Sequence, residues 1–117
     1  PAIEAPVDTA FEGVRILVDT PHEILVNKVC ALLSRAALRD LRDVQELLRH
    51  DGNLQRALAD APRKDGGFSP LMLAWIVREL PIRALGKVDN YSEAECADLE
   101  RFRNELVAIL LRLTAPS

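Results

Sequence analysis

No apolar run in this chain of 117 residues approaches the roughly 20 residues that a bilayer-crossing helix requires. A membrane-spanning protein is therefore not expected. Nor is there a basic excess, because 15 Lys and Arg against 18 Asp and Glu leave a net charge of -3. Such a balance excludes binding driven by overall attraction to phosphates, so any nucleic acid contact needs a local cluster of Arg and Lys. Cysteine is scarce. Cys30 and Cys96 lie far apart inside helical patterns, with no short metal-ligand spacing and no secretory signal ahead of them, and both read as reduced, buried thiols of a cytoplasmic protein. His22 and His50 fall at helix ends without a ligand-spaced companion, so no metal site is assigned.

What is present belongs to one small domain with a single core: 49% apolar and 28% charged residues, the proportions of a soluble globular protein. Residues 1–11 hold two prolines and no period, which reads as a loop or tail. Gly13–Asp19 alternates Val14, Ile16 and Val18 on one face, the one strand signal in the chain. A lone strand leaves its backbone groups unpaired, so it is expected to join a sheet supplied by further chain or by a partner. The expected division is a tail and orphan strand over 1–19 and a helical domain over 20–117.

Helices follow. Thr20 caps a helix with Pro21 in its first turn and Glu23 completing a capping box, and this helix runs to about Arg35. Asp51-Gly52 ends a second pattern, Asn53 to Ala61 forms a third helix stopped by Pro62, and Ser69-Pro70 opens a fourth through Leu80. The fourth is apolar nearly all round from Leu71 to Val77, so it is central or covered by a partner, with Met72 and Trp75 read as core. Ser92 and Glu95 box the start of the last helix, whose inner stripe is Leu99, Phe102, Leu106, Ile109, Leu110 and Leu113. The fold class is mainly α: a bundle of about five helices preceded by one strand.

Lys28, Arg35, Arg39, Asp40 and Asp43 lie in a segment whose core needs none of them. In one straight helix, Asp40 sits at the margin of the apolar stripe, where an unpaired carboxylate is costly, and Lys28 and Asp43 stand roughly 22 Å apart at about 1.5 Å per residue. No shared chemistry survives that separation. A fold-back near Arg35-Ala36-Ala37 brings the two together and makes Asp40 a first-turn residue, where carboxylates are favoured. The segment has no Gly or Pro, and alanine is the best helix former, so both geometries stand; the fold-back is taken as the expectation.

The pattern Val18-x-x-Pro21-x-x-Ile24-Leu25-x-x-Lys28-x-x-Ala31-Leu32-x-x-Arg35-x-x-x-Arg39-Asp40-Leu41-x-Asp43-Val44 resembles the second half of nucleotidyltransferase-fold toxins of the AbiEii/AbiGii abortive-infection type. The likeness is specific over residues 13–48 and loose elsewhere. It implies transfer of a nucleotide from an NTP, with Mg²⁺, to an RNA or protein acceptor. It places the lysine matching Lys28 near the triphosphate and the aspartate matching Asp43 in the active site. Arg35, Arg39 and Asp40 then contact substrate or brace the site. A lysine ammonium neutralises phosphate as a point donor, and a carboxylate orients it.

The departure from the family is as informative. Such enzymes need a Gly-Ser turn followed by paired metal-binding aspartates, which this sequence does not contain; Gly66-Gly67-Phe68-Ser69 has neither a strand before it nor Asp-x-Asp after it. The expectation is therefore the C-terminal helical portion of a longer enzyme, inactive by itself, with Mg²⁺ and NTP bound only by the intact protein. A second reading, from another class, is a helical interaction module whose 71–77 helix docks a cognate antitoxin or a second copy. The blander assignments are also on the table: Lys28 merely solvated, Asp43 paired with Arg39 four residues earlier, Asp40 stabilising a helix start. Arg35, Arg39, Arg42 and Arg49 form a strip suited to RNA phosphates, weakened by interleaved acids.

Overall fold

The computed structural model describes residues 7–11, 14–18 and 20–114. Strands β1 (Val7–Phe11) and β2 (Val14–Val18) precede six helices: α1 (Pro21–Arg35), α2 (Leu38–Arg49), α3 (Leu54–Lys64), α4 (Pro70–Arg78), α5 (Ile82–Val88) and α6 (Glu93–Thr114). The mainly helical class is as expected. The strand expected over Gly13–Asp19 is present, but it is not alone, since β2 pairs antiparallel with β1 in a register that sets Val7 opposite Val18 and Phe11 opposite Val14. One edge of β2 is thus satisfied within the chain. The inference of absent chain loses that support and rests on the missing Gly-Ser turn and paired aspartates.

The helix starts follow the capping chemistry. The Thr20 side chain accepts from the Glu23 N–H at 3.1 Å, with Pro21 at the first helical position. Ser92 and Glu95 close a reciprocal box, the Glu95 N–H donating to Ser92 Oγ at 3.1 Å and the Ser92 N–H to Glu95 Oε1 at 2.8 Å. Pro62 does not stop α3, which continues to Lys64. The proline forfeits one hydrogen bond on an exposed turn, and the Asp65 N–H closes the helix on the Ala61 carbonyl at 2.9 Å.

The core gathers one stripe from each helix. Leu25, Val29 and Leu32 of α1 meet Leu41 and Val44 of α2, Ala57 and Ala61 of α3, Leu73 and Val77 of α4, and Leu106 and Leu110 of α6. α1 packs on α2 and α3, and α4 on α6. Between α5 and α6 the approach is close enough that a Cβ placed on Gly86 meets Cys96 Sγ at 2.5 Å, so only glycine fits there. Arg83 of α5 reinforces the contact by pairing with Glu93 and Glu100 of α6.

Three core assignments fail. Trp75 is 62% exposed and Met72 is exposed beside it, because α4 buries only Leu73, Ala74 and Val77 against the bundle. Leu113, placed on the inner stripe of α6, is exposed near the helix end.

Candidate functional site

The site begins with a break in helical geometry. Ala36 adopts the left-handed conformation, φ 51 and ψ 45, and its N–H still donates to the Leu32 carbonyl at 3.1 Å. Ala37 is extended, and α2 starts at Leu38 running back along α1. The left-handed form costs an alanine roughly 1 kcal/mol. Burial of Leu38 and Leu41 against α1 offsets that local cost, since each fully buried leucine contributes on the order of 2 kcal/mol. Tertiary packing overrides the helix propensity of the two alanines.

The fold-back draws the five candidate residues into one region, with different parts to play. Asp40 sits in the first turn of α2 with no accessible side-chain surface. Arg35, the last residue of α1, holds it in a two-pronged pair, Nε to Oδ2 at 2.8 Å and Nη2 to Oδ1 at 3.0 Å. Lys28 Nζ lies 3.6 Å from Asp40 Oδ1 and 2.8 Å from Asp43 Oδ2. The Arg35 hydrogen bonds hold the Asp40 carboxyl below the usual carboxylate range, outweighing burial, with Arg35, Lys28 and Arg39 adding attraction. Arg39 is exposed and enters no ion pair among the described residues; Asp43 pairs with Lys28 rather than with Arg39.

Accessibility separates the carboxylates. Asp40 is enclosed and fully engaged, so it fixes the α1–α2 hairpin and steers Lys28, whereas Asp43 remains 45% exposed and Lys28 27% exposed. The Lys28–Asp43 pair is the edge of the cluster that an incoming anion can reach. Two cations facing two carboxylates are already neutralised, so a phosphate would have to take Lys28 from Asp43 or be drawn by Arg39 beside them.

No group of three or more His, Cys, Asp or Glu able to hold a metal occurs among the described residues. With Asp40 occupied by Arg35, these side chains do not fit a Mg²⁺ site by themselves. No helix among the described residues is long and apolar enough to cross a membrane.

Two further features escape local sequence reading. His22 of α1 donates from Nε2 to the Asp60 Oδ2 carboxylate oxygen of α3 at 2.7 Å, a pair separated by 38 positions. They border a cleft of about 620 Å³ at the start of α1. Between α4 and α6, Leu71, Met72 and Trp75 of α4 and Leu111 of α6 line an apolar groove of about 360 Å³, where Arg78 stacks 4.6 Å from the Trp75 ring centre.

The family described as nucleotidyl transferase AbiEii toxin, type IV toxin–antitoxin system, matches residues 1–108. No curated protein and no solved structure matches the chain.

Proposed function

The chain belongs to the AbiEii nucleotidyl transferase toxin family of type IV toxin–antitoxin systems, and from that premise we propose that it forms the helical, phosphate-facing part of a nucleotidyl transfer site. The observation that carries this reading is the 2.8 Å contact of Lys28 Nζ with Asp43 Oδ2 across the α1–α2 fold-back, backed by enclosed Asp40. Lys28 would neutralise the triphosphate of an NTP, Asp43 would hold the ammonium in place until the phosphate arrives, and Arg39 would add a free positive charge at the rim. Arg35 and Asp40 serve as the brace. The metal-holding carboxylates would come from sequence outside these residues, since the Gly-Ser turn and paired aspartates are lacking here. The chain alone would then be inactive, with Mg²⁺, NTP and an RNA or protein acceptor bound by the intact cytoplasmic protein.

The test is nucleotide transfer from labelled NTP by the intact protein carrying Lys28→Ala. Transfer should fall to background while the melting temperature stays close to that of the wild type, because Arg35 remains on Asp40. Normal transfer by a folded variant would remove Lys28 from the site.

A second reading has its own observation. The open Leu71, Met72 and Trp75 face of α4 suits a helical interaction module that docks a cognate antitoxin or a second copy of the chain. Both functions fit in one molecule, since that face lies on α4 and the Lys28 cluster on α1 and α2.

A further inference from the structure

The large apolar side chains left in water are not scattered. Among the described residues six are exposed, and all but Val88 lie on α4 or α6: Leu71, Met72, Trp75, Leu111 and Leu113. Exposed apolar residues that stand singly need no explanation, whereas five in one place mark a contact surface. Arg103 of α6 donates from Nη1 to the Leu80 carbonyl just past the end of α4, and Pro70 at its start borders a hollow with Leu113, so the two helices run antiparallel. Their outer sides form two ridges, Leu71, Met72 and Trp75 on α4 and Leu111 on α6. Between them Ala74 and Val107, small and buried, floor the groove of about 360 Å³. Past Pro70, a hollow of about 230 Å³ walled by Leu58, Ala59 and Leu113 carries the apolar surface on toward α3.

Shape, charge and area together select the occupant. Trp75 projects from the wall of a groove whose floor is made of small residues, so this face carries a knob and a hole side by side. A two-fold contact lets the knob of each copy enter the hole of the other. Of the residues lining the groove, Arg78 alone is charged, and the exposed rim holds both signs in balance, Arg78 and Arg112 with Glu79 and Glu105. A rim of one sign calls for a partner of the opposite sign; a mixed rim complements itself. On a chain of net charge -3, a face without acidic excess is where two copies can meet. A fully exposed aromatic side chain presents about 150–250 Å², and on that scale the five side chains leave on the order of 500 Å² in water on each copy. Two copies thus cover about 1,000 Å² from these side chains alone, the size at which specific interfaces begin.

We propose that the α4–α6 face is a two-fold interface between copies of this chain, with Trp75 of each copy seated in the groove of the other. The assignment rests on the interaction-module reading of α4 and commits that face to one partner.

Trp75 is the one tryptophan of the chain, so its fluorescence reports on the groove directly. The experiment follows the full chain by sedimentation velocity and by tryptophan emission from about 1 to 100 μM, the range of modest interfaces. A monomer–dimer transition is expected, with the emission moving to shorter wavelength over the same concentrations as the indole leaves water. Trp75→Ala should weaken dimerisation about hundredfold, about tenfold for each of the two copies, while Trp75→Phe retains it. Leu111→Glu, on the other helix, should leave a monomer whose Trp75 emission no longer moves with concentration. Both side chains are exposed, so the melting temperature at a dilution where the wild type is monomeric serves as the folding control. A wild type that stays monomeric throughout, or a dimer that Trp75→Ala and Leu111→Glu leave intact, would overturn the assignment. A monomer whose emission shifts only on addition of purified cognate antitoxin would overturn it while upholding the interaction module; one that responds to neither would end both.

Discussion

Replacing Asp40 by Asn changes one oxygen to an amide and removes one charge, and the structure says what that should cost. The carboxylate accepts two hydrogen bonds from Arg35 and has no accessible surface. Hydrogen bonds to charged groups contribute about 1.5–3 kcal/mol each, and the new amide would point a donor at the guanidinium. Arg35, however, is 51% exposed and can turn to water, which discounts the loss. A net destabilisation of about 2 kcal/mol remains. Unfolding entropy of about 2.1 cal/mol/K per residue means that for 117 residues each kcal/mol moves Tm by about 4 °C, so the variant should melt about 8 °C lower. Asp43→Asn, at a half-exposed carboxylate, should cost under about 1 kcal/mol.

The assay is thermal and urea unfolding followed by circular dichroism, repeated across pH. The Asp40 carboxyl is held below its ordinary range, so its stabilising contribution is full above the unfolded value of about 3.9 and is lost as pH falls through the lower folded value. The gap between wild type and Asp40→Asn should thus be constant at neutral pH and narrow in acid. Equal losses for Asp40→Asn and Asp43→Asn, or a gap that persists unchanged in strong acid, would refute the brace.

Two other predictions concern backbone fit. Ala36→Gly removes the side-chain penalty at φ 51 and should stabilise the chain by about 0.5 kcal/mol after the added unfolded-state entropy, read as a higher urea midpoint. Gly86→Ala drives a Cβ into Cys96 Sγ and should destabilise by about 1–3 kcal/mol; adding Cys96→Ala should recover much of that loss, and a purely additive double variant would contradict the close packing of α5 on α6.

Helix starts were legible in the sequence because capping is local: Thr20, Glu23, Ser92 and Glu95 each act within four residues of themselves. The fold-back was legible only indirectly. Ala36 and Ala37 carry no turn signal, and what pointed to the break was the cost of leaving Asp40 at the edge of an apolar stripe, a cost that Arg35 now relieves. α5 was hidden because Pro81 and Gly86 punctuate a helix of seven residues. The outward face of α4 could not be read at all, since a helix apolar on every side does not say which side meets the bundle. His22 and Asp60 meet only because α1 and α3 pack, and no period in either helix records the encounter.

The Ala36 break also bears on when the site comes into being. Lys28 and Asp43 are fifteen positions apart, so the ammonium and carboxylate meet within a single helical hairpin and need no distant segment to be in place. Such short-range closure is fast, and during synthesis this hairpin can pair while the ribosome is still adding the residues of α4 and α6. The polar cluster would then act as an early register mark, around which the later helices assemble.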